Sequence, residues 1–245
     1  MDELDLQGTV RLGDRGPSVR RVQEWLSLNG LQVKVDGDCG PATRAAVREF
    51  ESRHGLSSDG EVGAKLFELL TAPMRAALAR IEPGGRPLGE LTIAYAQQHL
   101  AQHPREIGGQ NRGPWVRLYM SGHDGEEWAW CAGFACFCLR QACETLGAGM
   151  PIVASFSCDS LAASATERGR FLREPDAAGR ARIRPGNLFV NRRTPSDWTH
   201  TGLVVSAGPD SFRTVEGNTN DDGSREGYEV CARMRGYTSM DFIVI

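Results

Sequence analysis

The sequence has very little lysine, almost no net charge and no long apolar run. Lys34 and Lys65 are its only lysines, and 28 basic residues face 31 acidic ones, so the formal net charge is −3 at pH 7. This balance provides no overall electrostatic basis for binding nucleic acid. The longest apolar stretch, around residues 128–139, is too short to span a bilayer, and we expect no membrane insertion.

The cysteines lack the spacing that is typical of a metal site. Their number is seven, so they cannot all pair within the chain, and we expect reduced thiols. The four cysteines between residues 131 and 143 contain no C-x-x-C pair, and a helix would spread their thiols around its axis. We therefore expect no metal and no organic cofactor.

The N-terminus lacks the apolar core of a signal peptide, because residues 1–10 are acidic and polar. We expect synthesis in the cytoplasm without a signal peptide. What is present is the composition of a folded protein, with 40% hydrophobic and 24% charged residues. A chain of 245 residues is long enough for one large domain or two small ones.

Residues 1–72 have the pattern of a small helical domain. Apolar residues recur at helical spacing in residues 17–29 and 41–54, and a third short helix is predicted for residues 62–70. Three short helices predict a bundle with a small core. Residues 73–89 are predicted to be a linker, because their second half is rich in Gly and Pro.

Residues 90–245 are predicted to form an α+β domain. Helices are expected at residues 91–100 and 130–146, whereas residues 104–127 are rich in Gly, Asn and Pro and are predicted to be mostly loop. Helices followed by a run of strands predict a helix packed on an antiparallel sheet. The apolar period of two places the strands at residues 186–190, 200–206, 211–217, 228–234 and 241–245.

Cys131 has surroundings that suit a nucleophile. It stands at the predicted start of a helix, where N–H groups and the helix dipole favour the thiolate. A thiolate still needs a base, and His200 at the entry of a strand is the best candidate. Glu216 and Asn218 end the following strand, so an antiparallel pairing would bring them to the same sheet edge as His200. Which of the two holds the imidazole is open.

The first segment carries a recognisable family pattern. The run VDGDCGPATRAAVREFESRHGL, with LGDRGPSVRRVQEWLSLNG before it, resembles the small peptidoglycan-binding domain of bacterial and phage wall enzymes. The matching features include Asp36-Gly37, Gly40-Pro41 and a helix that ends in F-x-x-x-x-G-L. The resemblance covers roughly residues 8–70 and implies binding to the cell wall.

Three motifs in the second segment carry another resemblance. W-C-A-G-F around Cys131, T-H-T-G-L-V-V around His200 and V-E-G-N with Glu216 and Asn218 resemble the CHAP family of cysteine peptidases and amidases. This family is a branch of the papain-like fold and cuts amide bonds in bacterial peptidoglycan. The resemblance implies that Cys131 is the nucleophile and His200 the general base and acid. Glu216 would orient His200, and Asn218 would line the oxyanion or orienting side.

Three further residues are predicted to contact substrate. Trp198 lies two residues before His200 and is the best aromatic candidate for the cleft. Glu106 and Asn111 belong to the loop before the nucleophile, where they are placed to hold polar groups of a wall stem peptide.

The two resemblances together imply a modular peptidoglycan hydrolase that uses a Cys-His-Glu thiol mechanism. It would be an endopeptidase or an N-acetylmuramoyl-L-alanine amidase. The alternatives are a non-catalytic phage or secretion-system wall-binding protein, and a thiol transferase on the same fold. Bacterial peptidoglycan is the expected partner, and a holin or a secretion apparatus is the expected route of export. The expected place of action is the cell wall, in the periplasm or at the exterior.

Overall fold

The computed structural model of the chain describes residues 3–220 and 227–245. The chain divides into two compact units, each built from two chain segments. Unit 1 contains Met1–Leu78 and Arg105–Glu126, and unit 2 contains Ala79–Pro104 and Glu127–Ile245. Within the described ranges, no helix combines the length and the apolar character that a membrane span requires.

Helices come first along the chain and most of the strands come last, which is the predicted order. The described elements are α1 (Pro17–Leu28), α2 (Pro41–Arg53), α3 (Ala64–Leu70), α4 (Ala72–Leu78), α5 (Leu88–Leu100), α6 (Pro114–Tyr119), α7 (Cys131–Leu146), α8 (Cys158–Glu167), β1 (Phe171–Leu172), α9 (Ala177–Arg180), β2 (Leu188–Thr194), β3 (Asp197–Ala207), β4 (Ser211–Thr219), β5 (Glu229–Gly236) and β6 (Met240–Ile243).

Unit 1 contains the three helices predicted for the bundle, α1, α2 and α3, and adds α4 and α6. A glycine followed by proline begins α1, α2 and α6, because the fixed φ of proline suits the first helical position. Trp25 of α1 and Trp115 of α6 are both fully buried and meet edge to face, with ring centroids 6.1 Å apart. The segment around α6, predicted to be mostly loop, therefore supplies part of the core of unit 1.

A buried ion network joins the two chain segments of unit 1. The guanidinium of Arg117 on α6 bonds both carboxylate oxygens of Glu3 and of Glu24, at distances of 2.7 to 3.2 Å, and one oxygen of Asp124 at 3.0 Å. The side chains of Glu3 and Glu24 are 4% and 0% exposed. Such a network holds its elements together because removing one charge would leave the others buried without compensation.

Unit 2 has the predicted arrangement of helices and an antiparallel sheet. The sheet has the strand order β1-β6-β2-β3-β4-β5, and every neighbouring pair is antiparallel. Helix α7 packs against β3, β4 and α5, and α5 also contacts the sheet. Three described elements of unit 2 were not predicted, namely α8, the short helix α9 and the short edge strand β1.

The observed units differ from the predicted domain boundaries. Helix α4 occupies part of the predicted linker and belongs to unit 1, while residues 79–89 belong to unit 2. Residues 105–126 were predicted within the second domain but belong to unit 1. Unit 1 is therefore built from two segments that are separated in the sequence.

Candidate active site

Cys131 is the first residue of α7, as its sequence setting predicts. The backbone just before it is held by Asn218, whose Oδ1 accepts the Trp130 N–H at 3.0 Å and whose Nδ2 donates to the Gly227 carbonyl at 2.5 Å. Asn218 has a positive φ of 54°, a conformation that asparagine tolerates better than most residues. These contacts show Asn218 supporting the loop in front of the candidate nucleophile.

His200 on β3 and Glu216 on β4 lie side by side. The two strands are antiparallel neighbours, with Leu203 opposite Val215. His200 Nε2 lies 2.8 Å from Glu216 Oε2, so Glu216 makes a hydrogen bond to the imidazole. This bond occupies Nε2, and His200 also makes a hydrogen bond with Cys131.

Two glycines allow close packing around Glu216 and between α7 and β4. A Cβ on Gly202 would lie 2.7 Å from the Glu216 Cγ, and a Cβ on Gly217 would lie 2.7 Å from the Phe134 Cβ on α7. Neither distance is physically possible without movement of the neighbours. The glycines of T-H-T-G-L and V-E-G-N are therefore needed for close packing of Glu216 on β3 and of α7 on β4.

Glu216 is fully buried but is held by four hydrogen bonds. Arg235 donates to both carboxylate oxygens at 2.5 Å, the Thr214 hydroxyl donates to one of them at 2.5 Å, and His200 contacts the other. Burial alone would raise the pKa of Glu216, but the bonds from Arg235 and His200 lower it to about 2. Glu216 is therefore a carboxylate at neutral pH. The sequence reasoning missed Arg235 because an arginine on a strand is usually a solvent-facing residue.

The electrostatics of the site favour a thiolate and an imidazolium. Burial opposes the positive charge of His200, but hydrogen bonds with Cys131 and Glu216 outweigh it and raise the pKa of His200 to about 9. A hydrogen bond from Cys158 lowers the pKa of the Cys131 thiol well below its ordinary value; burial opposes this, and His200 and the Thr201 backbone add to it.

Cys158, the first residue of α8, is a second thiol beside the candidate nucleophile. Its Sγ lies 3.9 Å from the Sγ of Cys131, and both residues are buried. The pKa of Cys158 is raised by its hydrogen bond to Cys131 and by burial, so Cys158 keeps its proton. The sequence reasoning treated Cys158 as a small core residue, because nothing in a linear sequence brings residue 158 next to residue 131.

Trp198 lies on β3 in unit 2, on the strand that carries His200. Its indole N–H donates to Asp241 Oδ2 at 2.8 Å, and its backbone N–H donates to Asp159 Oδ1 at 2.7 Å. The Phe171 ring packs edge to face against it. Trp198 is thus half-buried and anchored, and its role in substrate binding stays a prediction.

Glu106 and Asn111 lie in unit 1, whereas Cys131 and His200 lie in unit 2. Glu106 accepts the Asn111 backbone N–H at 2.8 Å, and the Asn111 side chain donates to the Glu126 carbonyl at 2.9 Å. Both side chains therefore shape the loop to which they belong. Their predicted contacts with substrate stay predictions.

Two aromatic residues of unit 2 stand close to Cys131 and Cys158 in the sequence. Trp128 and Phe156 meet edge to face at 6.2 Å, and Phe156 is 38% exposed. Trp128 stands three residues before Cys131, and Phe156 stands two residues before Cys158. Trp128 is half-buried, so Phe156 is the more accessible ring of this pair.

Unit 1 has a recess beside the Asp36-Gly37 turn. Its volume is about 530 Å³, and its lining includes Arg15, Arg20, Asp36 and Asp38.

No group of three His, Cys, Asp or Glu side chains within the described residues could hold a metal ion.

Comparison with known proteins identifies the N-terminal segment. Residues 15–70 match the family described as "Putative peptidoglycan binding domain". The zinc D-Ala-D-Ala carboxypeptidase of Streptomyces albus G is 41% identical over 63 residues, which are 24% of this chain and 25% of that protein. The chain thus spans a quarter of the length of the carboxypeptidase. The crystal structure of the SleB N-terminal domain aligns at 34% identity and a TM-score of 0.27, over 28% of this chain and 96% of that one.

The family match confirms the predicted peptidoglycan-binding domain for residues 15–70. The match assigns this segment, and not the rest of the chain, to a family described by peptidoglycan binding. The match ends before the segment that carries Cys131, His200 and Glu216.

Proposed function

We propose that the chain is a peptidoglycan hydrolase that cleaves an amide bond of the wall peptide with a Cys-His-Glu thiol mechanism. The observation that carries this proposal is the chain of contacts from Cys131 through His200 to Glu216. A buried carboxylate, an imidazole and a low-pKa thiol at a helix N-terminus are the parts that thiol-dependent acyl transfer requires.

In the first half-reaction, the Cys131 thiolate attacks the carbonyl carbon of the scissile amide. The oxyanion that forms is stabilised by backbone N–H groups in the first turn of α7, which have no intrahelical acceptors. The imidazolium of His200 then donates its proton to the nitrogen of the leaving amine. The C–N bond breaks, and the acyl group remains on Cys131 as a thioester.

In the second half-reaction, His200 is neutral and accepts a proton from water. The hydroxide attacks the thioester carbonyl, the C–S bond breaks, and the carboxylic acid product leaves. Cys131 returns to the thiolate and His200 to the imidazolium. Glu216 stays ionised throughout, because Arg235 neutralises it, and its hydrogen bond keeps the imidazole oriented.

We assign unit 2 to the papain-like fold and to the CHAP family, on the three motifs and on a helix that carries the thiol and packs on the sheet that carries the histidine. The half-buried Trp128 ring and the exposed Phe156 ring suit the apolar faces of a sugar or a peptide side chain. Unit 1 would hold the enzyme on the insoluble wall, which raises its local concentration there. Export by a holin or a secretion apparatus remains part of this proposal.

Digestion of purified sacculi tests the proposed function. Wild-type protein should solubilise the wall and release products whose masses identify the cleaved bond. An amidase releases whole stem peptides, whereas an endopeptidase splits stems or cross-bridges. Cys131→Ala should reduce the rate at least about 1,000-fold, because removing one member of a catalytic unit costs nearly as much as removing all of it.

Cys136→Ala is the matched control on the same helix. Its thiol donates to the Ser155 carbonyl at 3.7 Å and burial raises its pKa, so its loss should leave the rate within about threefold of wild type. Wild-type activity in Cys131→Ala would refute the thiol mechanism. Absence of cleavage by the wild type would favour a wall-binding protein or a thiol transferase.

A further inference from the structure

Two of the seven cysteines are placed for a reaction with each other. Cys131 and Cys158 are the first residues of α7 and α8, and their sulfur atoms are 3.9 Å apart. A disulfide requires a sulfur separation of about 2 Å, so the two atoms need to close by about 2 Å. Side-chain rotation at the two helix starts is a small movement compared with a rearrangement of the fold.

The two thiols also differ in protonation, which suits them to successive roles. The hydrogen bond between them lowers the pKa of Cys131 and raises that of Cys158. The thiolate is therefore favoured on Cys131 and the protonated thiol on Cys158. The thiolate is the form that reacts with peroxides, and a neighbouring thiol is what resolves the product.

We propose that Cys131 and Cys158 are a redox modification site, at which a hydroperoxide converts the two thiols into a disulfide that blocks the nucleophile. The Cys131 thiolate attacks one oxygen of hydrogen peroxide, the O–O bond breaks, and hydroxide leaves. This step oxidises Cys131 to a sulfenic acid. The Cys158 sulfur then attacks the sulfenic sulfur, the S–O bond breaks, and the departing hydroxide takes the Cys158 proton and leaves as water.

The hydroxide released in the first step takes up a proton from solvent, so the net change is one thiolate, one thiol, one hydrogen peroxide and one proton to one disulfide and two waters. A dithiol reductant reverses it by thiol–disulfide exchange, in which the reductant's own thiols become a disulfide. The disulfide protects Cys131, because a sulfenic acid without a resolving thiol is oxidised further to the sulfinic acid, which such reductants do not restore.

Other cysteines of α7 are less suited to this reaction. The thiols of Cys136 and Cys143 each donate to a carbonyl oxygen, that of Ser155 or of Gly149, at 3.7 Å. Burial raises the pKa of both, so they stay protonated and react slowly with peroxide. The modification is therefore expected to be selective for the Cys131–Cys158 pair.

The disulfide itself depends only on the two thiols, whereas its effect on wall hydrolysis rests on the proposed function. The experiment therefore reads mass and activity separately. Full-length protein is treated with a small excess of hydrogen peroxide at pH 7, alkylated, digested and mapped by mass spectrometry. The expected result is a loss of two hydrogens and a cross-linked peptide pair that contains Cys131 and Cys158. Treatment with dithiothreitol should restore the original mass.

Two variants sharpen the test. In Cys158→Ser, peroxide should add two oxygens to Cys131, and dithiothreitol should not remove them. In Cys136→Ser, the cross-link and its reversal should be as in the wild type. If wall hydrolysis is present, its loss in peroxide and its return in dithiothreitol should follow the cross-link in the wild type.

A different disulfide, or wild-type Cys131 that gains oxygens without a cross-link, would overturn the proposal. Cross-linked protein whose reduced form does not cleave peptidoglycan would refute the proposed function and leave the modification site standing.

Discussion

Replacement of Arg235 with glutamine is the most direct test of how the candidate site is held. The Glu216 carboxylate has no exposed surface, and Arg235, with 20% of its side chain exposed, supplies its compensating charge through two bonds of 2.5 Å. Removing one member of a buried pair costs about 3 to 5 kcal/mol, and the partial exposure of Arg235 places the expected loss at the lower end, about 3 kcal/mol. Urea unfolding at pH 7 measures this loss.

The same substitution should change the pH dependence of catalysis. Arg235 helps to lower the pKa of Glu216 to about 2, so without it burial raises that pKa. Protonated Glu216 no longer holds the imidazolium of His200. The acid limb of the profile of kcat/KM against pH should therefore move up by about one pH unit or more, and the rate at pH 7 should fall about 100-fold.

Two matched variants serve as controls for Arg235→Gln. Arg235→Lys keeps the charge but not the two-pronged hydrogen bonding, so its acid limb should stay near that of wild type while its rate falls less. Arg213→Gln removes an exposed arginine from the neighbouring strand β4 and should alter neither quantity. If Arg235→Gln had the wild-type pH profile and stability, the assigned function of the Arg235–Glu216 pair would be wrong.

Three further outcomes are expected. The rate should decline as pH rises through about 9, because His200 then loses the proton that the leaving amine needs; kcat/KM measured from pH 7 to 10 tests this. Burial lowers the pKa of His99 to about 4 in the folded state, so the unfolded state binds more protons below pH 6.5, and about 3 kcal/mol of stability should be lost between pH 6.5 and 4 in urea titrations. Gly217→Ala should lower the melting temperature and the rate, whereas Gly236→Ala, whose Cβ meets no atom within 4 Å, should change neither by much.

The sequence was most informative where local chemistry decides the structure. Proline after glycine begins α1 and α2, and alternation of apolar residues marks the strands, so these elements lie close to their predicted positions. The pairing of His200 with Glu216 was also predictable, because consecutive strands with a short turn are antiparallel neighbours. The short turn between β3 and β4 therefore places the end of β4, which carries Glu216, beside the start of β3, which carries His200.

Contacts between distant segments were not predictable in the same way. Arg235 reaches Glu216 from β5, and the positions of β5 residues depend on the register with β4, in which Cys231 lies opposite Glu216. Cys158 meets Cys131 only because the unpredicted helix α8 begins there. The sequence also left open whether Glu216 or Asn218 holds the imidazole. In the structure Glu216 makes the bond to His200, whereas the Asn218 amide accepts the Trp130 N–H.

The discontinuity of unit 1 changes how the chain should be divided for experiment. A fragment that ended at the predicted linker would keep Trp25 and Glu24 but lose Trp115 and Arg117. Without Trp115, the fully buried Trp25 that packs against it would gain exposed surface, and full exposure of such a side chain costs about 2 to 3 kcal/mol. Loss of Arg117 would also leave the buried Glu24 with only its longer ion pair to Arg20, at 3.4 Å. Residues 15–70 match the peptidoglycan-binding family, but the folded unit around them also includes residues 105–126. Unit 1 is consequently completed by a segment that lies within 26 residues of the candidate nucleophile in the sequence.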